Sequence, residues 1–155
     1  MAEKFADGWV HSEWRWSCAE FPFSPRNTNI AEWEGQSLKN KTILLWGEQG
    51  IGDEIMFASL IAELNSICGK LLLECDGRLK PIFQRSFDDI TVIGRNNFSG
   101  ALIERLDPDY QIAMGSLCKF LRKNTQDFLM DRVRYLKENP ILKSEIRNRY
   151  SELGP

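Results

Sequence analysis

Two adjacent carboxylates, Asp53 and Glu54, follow three glycines, Gly47, Gly50 and Gly52, within "WGEQGIGDEIMF". The apolar run "TILLW" precedes them, and a helical pattern follows. Glycines between a strand and a helix let a ligand approach the backbone, and this arrangement commonly cradles phosphate. Gly47 and Gly52 have the G-x-x-x-x-G spacing of a phosphate loop, but Asp53 and Glu54 stand where Lys and Ser or Thr are required. An aspartate there repels phosphate. A dinucleotide fingerprint fails as well, because Gly47, Gly50 and Gly52 do not give G-x-G-x-x-G. Glu74 and Asp76 do fall near the end of the next strand, where a ribose-binding acid would stand. Two roles remain for Asp53. It can cap the helix and interact with its dipole. Alternatively, a bare loop beside a fixed carboxylate suits a neutral, hydroxyl-rich ligand, with Asp53 as the general base that takes a hydroxyl proton. Gln49, Gly50, Ile51 and Gly52 would then line the substrate.

These residues need a scaffold, and the chain alternates to supply one. "TILLW" (42–46), "KLLLEC" (70–75), "ITVIG" (90–94) and "YQIAMG" (110–115) read as strands. Between them, 53–68, 79–87 and 101–106 read as helices, with Pro81 confined to a first turn and Gly69 as a helix stop. The expected fold is α/β, a Rossmann-like parallel sheet of about four or more strands with helices on both faces. Ligands on such sheets sit beyond the carboxyl ends of the strands. Four stretches end there: Gly47–Asp53, Glu74–Asp76, Gly94–Asn97 and Met114–Ser116. Gly115 and Ser116 close the fourth strand as further substrate-contact candidates, with N-capping of a helix over 116–123 as the plainer role for Ser116. Arg78, Arg85 and Arg122 read by default as solvated helix faces.

Residues 1–34 differ from the rest. "FADGWVHSEWRW" concentrates Phe5, Trp9, Trp14 and Trp16 at roughly helical spacing, with Trp14 off the shared face, and "FPFSPRNTN" reads as a linker. Such a segment is expected to pack on the following domain or on a partner. Residues 35–125 form the Rossmann-like unit. Residues 126–155, including "FLMDRVRYLKENP" and "ILKSEIRNRYSELGP", read as charged helices with a break at Asn139–Pro140.

The 155 residues suit one core of ordinary size, with 43% hydrophobic and 27% charged residues and a formal net charge of −2. No basic excess points to nucleic acid. Cys18, Cys68, Cys75 and Cys118 make no C-x-x-C pair and His11 is the one histidine, which argues against zinc or another metal. No apolar run reaches membrane-spanning length, and reduced cysteines suit the cytoplasm.

A strand, a glycine turn and "GD" opening an apolar helix resemble the N-terminal, acceptor-side half of heptosyltransferase-like glycosyltransferases of the GT-B architecture. "LLWGEQGIGDEIMFASLIAEL", "LLLECDGRLKPIFQRSF" and "QIAMGSLCKFLR" are similar to a bacterial type in which this module follows tetratricopeptide repeats, and "FADGWVHSEWRW" resembles the exit from the last repeat. The resemblance implies Asp53 as base toward a sugar acceptor. It implies a sugar nucleotide bound by a second Rossmann domain outside this chain, and hence no cofactor and little activity in the chain alone. The helix "MFASLIAEL" lacks the proline usual in the transferases. A non-catalytic binding or scaffold module is the alternative expectation, and a dinucleotide binder the third.

Overall fold

A computed structural model of the protein describes residues 4–129 and 134–151. Among these, five strands form one parallel sheet: β1 (Ala31–Glu32), β2 (Thr42–Trp46), β3 (Lys70–Cys75), β4 (Thr91–Gly94) and β5 (Tyr110–Ala113). Their spatial order is β1-β5-β2-β3-β4. The helices are α1 (Phe5–Ser12), α2 (Ile51–Phe57), α3 (Ile61–Ile67), α4 (Lys80–Ser86), α5 (Ser99–Leu106), α6 (Cys118–Leu121), α7 (Thr125–Leu129) and α8 (Pro140–Arg149). The expected Rossmann-like α/β fold is present. A strand at Ala31–Glu32 was not legible: two exposed residues carry no alternation, and they pair only with Tyr110 and Gln111 at the sheet edge.

The inner strands are apolar runs because both of their faces are covered. Ile43 and Leu45 of β2 join Leu71 and Leu73 of β3 under Phe57, Leu60, Ile61, Leu64 and Phe83 from α2, α3, α4 and the 3-10 turn between α2 and α3. Leu44, Trp46, Leu72 and Ile93 face the other way, onto Ile103 of α5. The chain steps from β2 through β3 to β4, then α5 carries it back across the sheet to β5. Right-handed crossovers put helices of opposite travel on opposite faces, which is the distribution seen. The strand order reverses between β2 and β5, so the carboxyl ends of these two strands bound a topological switch point.

Several boundaries move for local reasons. The helix expected over 53–68 starts at Ile51 and is interrupted by a 3-10 turn at Ala58–Leu60. β5 stops at Ala113, because Met114–Ser116 winds into a 3-10 turn. Gly69 is not a left-handed helix stop. A Cβ there would lie 2.7 Å from the Asn40 backbone, while its N–H donates to the Leu38 and Lys41 carbonyls, so close chain approach explains the glycine.

The N-terminal segment is α1 followed by a 3-10 turn, Glu13–Ser17, and it docks on the domain. The Trp9 indole donates to the Arg122 carbonyl at 2.6 Å, and Trp16 lies 6.0 Å from Trp46, ring centre to ring centre. Trp14 is 68% exposed, as its offset implies. Trp33 is buried in the core against Phe120. Helix was expected across 128–139, but 134–139 is irregular; residues 130–133 lie outside the described residues. That irregular stretch is tied down by Tyr135, which donates to the Ile55 carbonyl, and by the Lys137 N–H, which donates to Ser86 Oγ. Asn139 caps α8 by accepting from the N–H groups of Ile141 and Leu142, with Pro140 in the first turn. No described helix is long and apolar enough to cross a membrane.

Candidate functional site

The turn from β2 into α2 holds most of the candidate residues. Gly50 is the N-cap, with ordinary extended dihedrals, and Ile51 begins the helix. Asp53 occupies the third helical position, half-buried, and its carboxylate accepts the Gly50 N–H at 3.2 Å. It lies in the first turn as expected, but as the residue that reaches back to the cap rather than the cap itself. A Cβ on Gly50 would make ordinary contact with Asp53 Oδ2 at 3.5 Å, and one on Gly52 would meet nothing within 4 Å. The chain's own packing therefore does not require these two glycines.

Gly47 is glycine for another reason. A Cβ there would sit 2.3 Å from Glu54 Oε1. Glu54 turns inward, 1% exposed, and braces three strand ends. Its Oε2 accepts the Asp76 N–H at 2.8 Å and its Oε1 accepts from Arg95 at 3.2 Å, while Arg95 also donates to the Gly47 carbonyl. Burial pushes the Glu54 carboxyl upward, opposed by the Asp76 N–H and the Arg95 guanidinium. The two adjacent acids thus have different jobs: Asp53 faces the turn and Glu54 holds the sheet ends.

A third acid, Glu48, bridges β2 to β5 and was not singled out from the sequence. It is 3% exposed. Its Oε1 accepts from the Gly115 N–H at 3.0 Å, the Gln49 amide at 3.2 Å and the Arg15 guanidinium at 3.3 Å. A Cβ on Gly115 would stand 2.4 Å from that oxygen and 2.8 Å from the Gln49 amide nitrogen. Ser116 does not cap a helix; α6 begins at Cys118, and no side-chain cap bond forms there. Its hydroxyl instead accepts from Arg15 at 2.7 Å and donates to the Glu13 carboxylate at 2.9 Å. Arg15 also donates to Glu13 at 2.7 Å and to the Ser12 carbonyl at 3.1 Å, and its guanidinium lies 4.4 Å from the Trp16 ring centre. The structure therefore brings Gln49, Gly115 and Ser116 together at the switch point, while Gly50, Ile51, Gly52 and Asp53 form the adjoining helix turn. Glu48 and Arg15 carried no spacing signal. A buried glutamate is set by its partners, and Arg15 sits in a stretch whose aromatics dominate its pattern.

The acids expected near a ribose are already engaged. Glu74, 1% exposed, pairs with Arg26. Asp76 takes three N–H donors from Arg78, two from the guanidinium and one from the backbone, each at 2.9 Å, and these hold its carboxyl well below the usual carboxylate range. Arg85 is turned onto the chain, donating to the Lys137 and Pro81 carbonyls. Arg122 departs from the solvated role expected of it: it is 5% exposed and pairs with Glu63 at 2.6 Å. Among the described residues no group of three His, Cys, Asp or Glu side chains converges on a metal position.

The protein FlbA of Caulobacter vibrioides is 30% identical to this chain over 159 aligned residues, covering 90% of the chain and 26% of FlbA. The chain thus spans about a quarter of that relative's length. No family model matches the sequence, and no solved structure matches it.

Proposed function

We propose that this chain is the acceptor-side domain of a glycosyltransferase-like protein, working with a second Rossmann domain that carries a sugar nucleotide. One observation carries the reading. At the switch point, a turn bare of side chains at Gly50 and Gly52 adjoins a carboxylate, Asp53, whose position is fixed by its bond to Gly50. Those missing side chains leave room that the protein's own atoms do not use. The strand order puts that room where open α/β sheets take ligands. Asp53 accepts the proton of an acceptor hydroxyl; the oxygen forms the bond to the anomeric carbon; the nucleoside diphosphate leaves toward the donor domain. A base in this role contributes roughly 10²–10⁴ in rate. Gln49, Ile51, Gly115 and Ser116 border the acceptor, and the aromatic N-terminal segment joins the domain to a preceding repeat array or a protein partner.

A non-catalytic binding module is the second reading. It is favoured by the buried carboxylates of Glu48, Glu54 and Glu74, each of which is neutralised by the chain's own arginine. Incubating the parent protein, donor domain included, with a panel of isotope-labelled sugar nucleotides separates the two. Mass spectrometry should show label transferred to an acceptor by the parent and not by this chain alone. Hydrolysis and transfer both at background for every donor would favour the binding module.

A further inference from the structure

The crevice between the carboxyl ends of β2 and β5 is filled by the chain's own guanidinium. The sheet domain lines it with the Glu48 carboxylate and the Ser116 hydroxyl, and supplies Glu48 with only neutral donors, the Gly115 N–H and the Gln49 amide. A carboxylate 1% exposed needs a counter-charge. Here that charge comes from outside the sheet domain, from Arg15, whose one guanidinium nitrogen reaches both Glu48 and Ser116.

The segment that brings Arg15 is lightly held. Neither α1 nor the 3-10 turn after it contains a fully buried residue, and Val10 and Trp14 are 55% and 68% exposed. A helix of eight residues has little stability of its own. Its anchors are side-chain contacts near the surface: Phe5 on Phe128, Trp9 on the Arg122 carbonyl, Glu13 on Ser116 and Lys119, Trp16 on Trp46, and the Arg15 contacts. Beyond Ser17 the chain is irregular and exposed at Pro22–Pro25, until Arg26 pins it to Glu74. That arrangement gives a short hinge between two anchored ends. Segments with few buried contacts open at lower free energy than the whole domain.

We propose that residues 5–17 form a displaceable strap over the switch-point crevice, and that the Glu48–Ser116 subsite beneath takes a guanidinium or ammonium group in the place Arg15 fills. A ligand that displaces the strap must restore a positive charge to Glu48 and present N–H donors to Glu48 and Ser116. The same chemistry makes Arg15 an internal competitor, so occupancy of the crevice and release of the strap are coupled. The inference takes from the proposed function only the location of the ligand crevice, and its test uses no transferase activity.

Hydrogen exchange on the complete chain tests it, with methylguanidinium chloride as the probe at tens of millimolar and sodium chloride at equal ionic strength as the control. In the wild type, amides of 5–17 should exchange through a local opening, far faster than those of β3. The probe should speed that exchange severalfold and leave β3 unchanged. In Arg15→Ala the probe should bind saturably, shifting the Gly115 amide resonance, and Arg15→Ala combined with Glu48→Gln should abolish that shift. Strap amides that exchange only with β3, or a probe effect equalled by sodium chloride, would overturn the proposal. The wild-type measurement decides the matter even if the variants fold poorly.

Discussion

Asp53 and Glu54 are neighbours in sequence and opposites in environment. The helix turns about 100° between them, which sends one carboxylate to the Gly50 N–H and the other into the brace under Gly47. The glycines separate in the same way, and their substitution should reveal it. Gly115→Ala drives a Cβ to 2.4 Å from Glu48 Oε1, an overpacking worth about 1–3 kcal/mol. Gly52→Ala meets open space in a helical turn, where alanine is favoured over glycine by up to about 1 kcal/mol. Urea denaturation should rank Gly52→Ala at or above wild type and Gly115→Ala well below; the reverse order would contradict the assigned packing. The buried thiols give a pH prediction. Burial pushes Cys75 up to about 12 and Cys118 up to about 11. An unfolded thiol titrates near ~8.5, so the unfolded chain loses its protons first. The stability these thiols confer is complete below about pH 8.5 and declines as pH rises toward the folded values. Denaturation midpoints measured from pH 8 to pH 10 should fall, and a Cys75→Ala, Cys118→Ala chain should fall less steeply. Equal slopes would show that other groups carry the change.

Elements with strong periodicity were legible, and those held by long-range partners were not. β2 and β3 match their apolar runs residue for residue, because strands buried on both faces leave an uninterrupted signature. β1 is two exposed residues stabilised only by the edge of β5, and nothing local announces it. Irregular structure at 134–139 also escaped detection, since its order comes from Ile55 and Ser86, some fifty to eighty positions away. The N-terminal segment is an intermediate case: aromatic spacing gave its helix and its docking, but not the Arg15 latch. Its docking makes a fluorescence prediction. Trp33 and Trp46 are 5% and 6% exposed, Trp9 and Trp16 are half-covered, and Trp14 is open. Acrylamide should therefore quench one efficient component, and Trp14→Phe should remove it. Ready quenching of most of the emission would mean that the segment is undocked.

The strand order ties these parts into one molecule. Because the chain doubles back between β4 and β5, the loops after β2 and β5 become neighbours, although Glu48 and Gly115, which join them, lie 67 positions apart. Parallel strands and their helices were readable from alternation, whereas the order of those strands was not; sequence shows that crossovers exist, and packing decides where each lands. The candidate site divides along the same line. The Gly50–Asp53 turn was legible from residue types, as were Gly115 and Ser116 at a strand end, whereas the Glu48 bridge that joins the two groups exists only once β2 lies beside β5. If the assembled crevice serves acceptor chemistry, Asp53 is its base, and one comparison tests that most directly: transfer rates of the parent protein carrying Asp53→Asn, with melting curves alongside. Asparagine keeps an oxygen for the Gly50 N–H and loses only the charge's interaction with the helix dipole, about 0.3–1 kcal/mol. It cannot take a proton. The account predicts a near-native melting curve with transfer lowered roughly 10²–10⁴-fold. An Asn variant that transfers at the wild-type rate would contradict it, leaving Asp53 as a helix-capping residue and no more.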